Sequence, residues 1–218
     1  WNFYGGIYRN VRLVATDDVF IPFQGSYKHE GGTHVTTENV SDSVSRARVR
    51  TWVRNERTER QAVELTTSIV DASGRVVAVA STPQEIRPQE TALYDEEFEI
   101  AGPQRWSPAS PNLYKTVSTV TAGGRSCDRY ETVFGIRTFE WNHDERRLYV
   151  NGEPVNIQGF NRHQEYPWLG DAIPYFIHRM DLLDMKRNLN CTALRPGQYC
   201  SGPEVFALAD SLGLITFA

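Results

Sequence analysis

Residues 148–157 read Leu148-Tyr149-Val150-Asn151-Gly152-Glu153-Pro154-Val155-Asn156-Ile157, and the grammar of the chain changes across them. Two arms with alternating apolar positions flank an Asn-Gly pair, which favours a tight hairpin because both residues accept positive φ at little cost. Downstream the hydrophobic period lengthens. Within 174–189, Phe176, Ile177, Met180, Leu182, Leu183 and Met185 recur at helical spacing, with Pro174 suited to a first turn. A strand over 191–194, a helix over 203–212 stopped by Gly213 and a strand over 214–217 follow. This βαβαβ order with short connections predicts parallel strands, and such folds bind ligands at the C-terminal strand ends.

Upstream of about Arg137 the period is two. Ala47, Val49, Thr51 and Val53 make one small or apolar face, and Arg46, Arg48, Arg50 and Arg54 the other. Residues 63–69 and 75–79 flank the turn Asp71-Ala72-Ser73-Gly74 and read as a hairpin, with further strands expected near 34–38, 92–100, 113–120 and 129–134. Strands at this spacing predict an antiparallel sandwich of immunoglobulin type over 18–136. The arginine row reads as a solvated sheet face balanced by Glu56, Glu59 and Glu64, not as a nucleic-acid patch.

The composition of the 218 residues, 40% hydrophobic and 23% charged with a net charge of −4, fits a folded core and excludes a strongly basic surface for phosphate backbones. No apolar run approaches the roughly 20 residues of a membrane span. Neither nucleic acid nor membrane is therefore an expected partner. Cys127, Cys191 and Cys200 lack metal-ligand spacing and read as idle thiols, with a single bridge as the alternative, and they set no compartment, secreted or cytoplasmic. Trp1-Asn2-Phe3-Tyr4 carries no initiating Met, and Leu214-Ile215-Thr216-Phe217-Ala218 stops inside a strand-like run, so both ends are expected to be cuts.

Four stretches in this order resemble glycoside hydrolase family 2 and together span nearly the whole chain. They are Gly5-Gly6-Ile7-Tyr8-Arg9-Asn10-Val11; Trp106-Ser107-Pro108 through Pro111-Asn112-Leu113-Tyr114; Phe134-Gly135-Ile136-Arg137 through Val150-Asn151-Gly152-Glu153-Pro154-Val155 to Gly159-Phe160-Asn161-Arg162-His163; and Asp181 through Met185-Lys186, Asn188 and Asn190 to Arg195, then Ala209-Asp210 and Gly213-Leu214. The resemblance implies three parts: the last strand of a sugar-binding jelly roll (1–17), the immunoglobulin-like sandwich (18–136), and the opening of a (β/α)8 TIM barrel (137–218), left incomplete. It also implies a retaining β-glycosidase of β-galactosidase type, acting on a carbohydrate substrate, with two glutamates about 5 to 5.5 Å apart across the scissile bond. In the family those glutamates follow the second barrel strand, so this chain is expected to hold no catalytic residue and to be inactive alone. No cofactor is implied for this part, although a divalent cation or sodium belongs to full-length members.

By the same resemblance Asn161, Arg162, His163 and Arg195 stand at the ends of the first two barrel strands as substrate-binding residues, with Gln198 where many members carry a histidine. Taken without it, Arg162 reads as a structural ion pair and His163 as a hydrogen-bonded histidine. The carboxylates Glu165, Asp171, Asp181 and Asp184 read as solvated rather than as an acid and base. Trp168 suits stacking on a sugar or filling a loop core equally. The rival is a free-standing immunoglobulin-like binding module, with Trp52 and Trp106 exposed as sugar platforms. An open barrel segment leaves apolar edges unpaired, so dimerisation, aggregation or local disorder is expected beyond Asn156; sharply monomeric elution with a fully protected tail in hydrogen exchange would contradict this.

Overall fold

The computed structural model describes residues 6–23, 31–198 and 201–217. They divide into two compact units, one of residues 14–104 and 113–136, the other of residues 1–13, 105–112 and 137–218.

The first unit is an immunoglobulin-like pair of four-stranded antiparallel sheets. In one, β3 (Val44–Asn55) pairs with β1 (Val19–Phe20), β2 (Thr33–Glu38) and β6 (Thr91–Ala101). The other runs in the order β5 (Val76–Ile86), β4 (Gln61–Val70), β7 (Tyr114–Ala122), β8 (Arg125–Phe134). Alternation sends Ala47, Val49, Phe98 and Ile100 into one apolar cluster with Ile69 and Tyr114, and Val53, Tyr94 and Leu65 into a second. Buried Thr51, Thr67, Thr116, Ser118 and Glu96 also occupy inward positions, and Thr82 Oγ1 donates to Glu96 Oε1 at 2.7 Å. The arginines of β3 do face outward, but their main partners come from β6: Arg48 grips Asp95 through two nitrogens and Arg46 lies 3.9 Å from Glu97. Of the acids expected to balance the row, Glu56 meets Arg54 at 3.1 Å. Cross-strand register, not sequence proximity, chooses these pairs.

Strand β5 continues past Pro83, well beyond the expected 75–79. It lies at a sheet edge, where the missing N–H of a proline costs no ladder bond.

The second unit begins, within the described residues, with an irregular segment over 6–13; the expected jelly-roll strand has no pairing partner there. Next come an antiparallel meander, β9 (Phe139–Asn142), β10 (Arg147–Val150) and β11 (Glu153–Val155), and a parallel sheet, β12 (Gly159–Asn161), β13 (Ala193–Arg195) and β14 (Ile215–Thr216). The Asn-Gly turn is as expected, with φ of 56° at Asn151 and 81° at Gly152. Helices α1 (Tyr175–Arg187) and α2 (Pro203–Leu212) complete the βαβαβ order. Three strands do not close a barrel, and Ile157, Phe160 and Phe217 remain substantially exposed. Among the described residues no helix is long and apolar enough to cross a membrane.

Helix α1 starts after Pro174, which sits at the N-cap position with extended backbone, and ends at Arg187. Its buried side is Ile177, His178, Leu182 and Met185, while Phe176 and Met180 face outward, so the expected stripe was rotated. Leu182 and Met185 pack with Val205, Leu208 and Ala209 of α2 and with Leu194 of β13.

Residues 105–112, though flanked in sequence by sandwich strands, belong to this second unit. Trp106 is 2% exposed, and its Nε1–H donates to the Asp210 carbonyl at 2.7 Å. The Arg137 guanidinium lies 4.8 Å over the indole. Burial pulls the Arg137 pKa down and pushes that of Asp210 up, each opposed by the charge of the other. Asn151 Nδ2 donates to the Trp106 carbonyl at 2.9 Å, and Lys186 Nζ donates to the carbonyls of Pro108 and Gly213 at 2.7 and 3.0 Å. Gly213, at φ 70°, terminates α2, and a Cβ there would stand 2.5 Å from the Pro108 oxygen. Trp106 is therefore not the exposed platform that a free-standing binding module would use; Trp52 is half-buried, with its ring edge-on to His34 at 5.0 Å.

Replacing Trp106 by Ala should cost about 3–5 kcal/mol from lost burial. Trp106→Phe keeps most of the ring but strands the Asp210 carbonyl, at about 1–2 kcal/mol. Urea unfolding followed by far-UV circular dichroism distinguishes the two; an unchanged midpoint in Trp106→Phe would mean that the indole N–H bond contributes nothing.

Candidate subsite at the parallel strand ends

In the parallel sheet Gly159, Phe160 and Asn161 stand opposite Ala193, Leu194 and Arg195. That register brings the last residues of β12 and β13 side by side at their C-terminal ends. Gly159 lies so close to the Ala193 backbone that any Cβ would collide with the Ala193 carbonyl, so only glycine permits this approach. Asn161 and Arg195 line a cleft of about 360 Å³ with Ile157, Phe160, Leu194 and Phe217.

Asn161 is the hub. Its Oδ1 accepts from Arg195 Nη1 at 3.0 Å and from the Gly197 backbone N–H at 3.1 Å. Both partners can only donate, which fixes the orientation of the amide. Its Nδ2 then donates to His163 Nε2, 3.2 Å away, so the neutral His163 ring carries its proton on Nδ1. Asn161 and Arg195 are exposed and His163 half-buried, so the network is open to a ligand. Gln198 is exposed in the turn after Arg195, and no hydrogen bond among the described residues ties it to Asn161. Its neighbours Tyr199 and Cys200, like Gly5, lie outside the described residues.

Arg162 behaves differently from its neighbours. Alternation turns it away from Asn161, and it is 8% exposed, with Nε and Nη2 donating to Asp181 Oδ2 at 3.0 and 2.7 Å. Its backbone N–H donates to the Arg195 carbonyl at 2.8 Å. Arg162, expected among the substrate-binding residues, thus has its guanidinium paired with Asp181 of α1. Asp181 is held by that pair, and Asp184 accepts from Asn188 Nδ2 at 2.6 Å.

Trp168 does not fill a loop core. It is fully exposed and holds φ at 70° inside a tight turn in which the Gly170 N–H donates to the Tyr166 carbonyl at 2.9 Å. A bulky residue in the left-handed region carries strain of about 1–2 kcal/mol. Sequence reading also missed His178, because a polar residue is skipped when an apolar stripe is counted. It is 3% exposed, and burial, aided by the Arg162 charge, pulls its pKa down. Cys127 and Cys191 are free, and burial pushes the Cys191 thiol up.

Three outcomes follow from this geometry. Asp181→Ala should cost about 2–3 kcal/mol, less than a fully buried pair because Asp181 is about a quarter exposed. Trp168→Asn should leave stability unchanged or raise it by up to about 1 kcal/mol, since asparagine tolerates positive φ; a clear loss in a thermal melt would show hidden packing. His178 titrates lower when folded, so the unfolded chain binds the extra proton first and stability falls as pH drops below about 6.5. His178→Gln should lose less stability than the parent between pH 7.5 and 5.5, measured by urea unfolding at each pH.

A model of glycosyl hydrolases family 2 matches residues 32–137, and the model of that family's TIM barrel domain matches residues 143–218. A beta-glucuronidase of Formosa agariphila is 30% identical over 98% of this chain, and a beta-galactosidase of Thermoanaerobacter pseudethanolicus 28% identical over 98%. The chain spans 22% and 27% of the lengths of these relatives. The crystal structure of Bacteroides uniformis beta-glucuronidase superimposes with a TM-score of 0.90 at 26% identity, covering 99% of this chain and 26% of that one. With the sandwich, the βαβαβ segment and both family models in agreement, the chain belongs to glycosyl hydrolases family 2 and carries its immunoglobulin-like domain and the start of its TIM barrel.

Proposed function

We propose that this chain is the segment of a retaining β-glycosidase that presents part of the glycone subsite, in an enzyme hydrolysing β-galactosides or β-glucuronides. The observation that carries the reading is the Asn161 hub, whose side chain joins Arg195, Gly197 and His163 at parallel strand ends. In barrel enzymes this face receives substrate. Arg195 and His163 are the groups that address sugar hydroxyls, Asn161 holds them in place, and Gln198 reaches the same ligand as a neutral donor and acceptor. Arg162 acts from behind by fixing the backbone between Asn161 and His163 to α1. We assign both catalytic glutamates to sequence beyond this chain, since the relatives are roughly four times as long. Glu165 and Asp171 are not assigned as an acid–base pair.

Nitrophenol release from aryl β-galactoside, β-glucuronide, β-mannoside and β-glucoside should stay at background for this chain at high concentration. Turnover that survives repurification and is lost in Glu165→Gln or Asp171→Asn would place the chemistry here and overturn the assignment. In a full-length enzyme carrying this segment, Asn161→Ala should lower kcat/KM by about tenfold to a hundredfold, as loss of one or two substrate-directed hydrogen bonds does.

A further inference from the structure

Asn151-Gly152 is the sole Asn-Gly pair in the sequence, and asparagine is a chemically labile residue. A following glycine makes it most so. With no side chain in the way, the glycine backbone nitrogen loses its proton and bonds to the asparagine Cγ, closing a five-membered succinimide and expelling the side-chain nitrogen as ammonia. Water then opens the ring to aspartate or isoaspartate, so the only co-reactant is solvent. The pair occupies a two-residue turn between Val150 and Glu153, with Asn151 half-buried and Gly152 exposed.

The fold restrains this reaction at both atoms of the side-chain amide. Asn151 Oδ1 accepts from the Thr138 backbone N–H at 3.0 Å, and Nδ2 donates to the Trp106 carbonyl at 2.9 Å. The Asn151 backbone N–H is tied as well, to the Thr138 carbonyl at 3.1 Å. Turning the amide carbon onto the Gly152 nitrogen breaks both side-chain bonds. Their partners lie 13 and 45 residues away in sequence, so the restraint is tertiary and is released when the Trp106 loop lifts. That loop is fastened at two further points, the indole N–H on the Asp210 carbonyl and Lys186 Nζ on the Pro108 carbonyl.

The product cannot be clamped in the same way. In aspartate an acceptor oxygen replaces Nδ2 and would face the Trp106 carbonyl oxygen across the 2.9 Å that the hydrogen bond now spans, with no proton between them. Isoaspartate adds a backbone atom to a turn built for two residues. We propose that Asn151-Gly152 is a self-modification site, where succinimide closure follows opening of the Trp106 loop and the product leaves that loop unfastened.

The test incubates the 218-residue chain in mildly alkaline buffer and follows aspartate and isoaspartate in the tryptic peptide 148–162 by mass spectrometry. The native chain should convert at least about tenfold more slowly than the same chain in urea, since only opened molecules react. Trp106→Phe and, independently, Lys186→Met each loosen the loop and should raise the native rate about 5- to 30-fold. Val49→Ala, which opens a cavity in the sandwich core, should leave that rate unchanged. Asn151→Asp should lower the urea midpoint of the second unit. The comparison with urea needs no substitution, so it stands even if a loop variant folds poorly. Equal native and unfolded rates, no acceleration in either folded loop variant, acceleration by Val49→Ala to match theirs, or an Asn151→Asp chain as stable as the parent would each overturn the proposal.

Discussion

The hydrogen bond from the Trp106 indole to the Asp210 carbonyl is the contact on which the organisation of the second unit turns. It satisfies a carbonyl in the last turn of α2, where the helix itself has no donor to offer, and it does so from beneath a buried aromatic ring. Around it gather pieces that look unrelated in sequence. Asn151 of the hairpin turn holds the Trp106 carbonyl, Lys186 near the end of α1 bridges Pro108 and Gly213, and Arg137 stacks on the indole. The W-S-P, Asn-Gly, M-K and G-L elements are thus four sides of one structural knot, which explains their residue types without any role in chemistry.

The strand-end site depends on that packing at one remove. Leu194 of β13 and Leu214 beside β14 anchor in the same apolar cluster as both helices, and the parallel register they fix brings Arg195 level with Asn161. The Arg162–Asp181 pair then ties β12 to α1 from the opposite side of the strand. A residue facing backward thereby fixes the two that face forward, which is how rigid elements make a binding group accurate.

Period and turn chemistry made most of the fold legible. The alternation of β3, the Asn-Gly hairpin and the cap at Gly213 are local properties, and local properties survive into the fold. What could not be read depended on partners distant in sequence. The arginines of β3 find Asp95 and Glu97 only once β6 lies alongside, and β5 outruns Pro83 only because no strand pairs on its far side. His178 was hidden by its polarity, and the phase of α1 was misjudged because Phe176 and Met180 are apolar yet outward. At the site, the resemblance located Asn161, His163 and Arg195 in one place, but alternation along a strand, which decides that Arg162 turns away, had been readable from the residues themselves.

The membership of residues 105–112 bears on how this architecture can be recombined. A sandwich excised as a contiguous stretch carries Trp106 and Pro108 with it and leaves behind Asp210, Lys186 and Gly213. The excised sandwich would carry an exposed indole, and the remainder would keep an open socket. Exchange of such sandwiches between homologues should therefore succeed only as a trade of matched lock and key, with the end of α2 travelling alongside the loop that fits it. The unit of inheritance is then the contact set rather than the sequence interval.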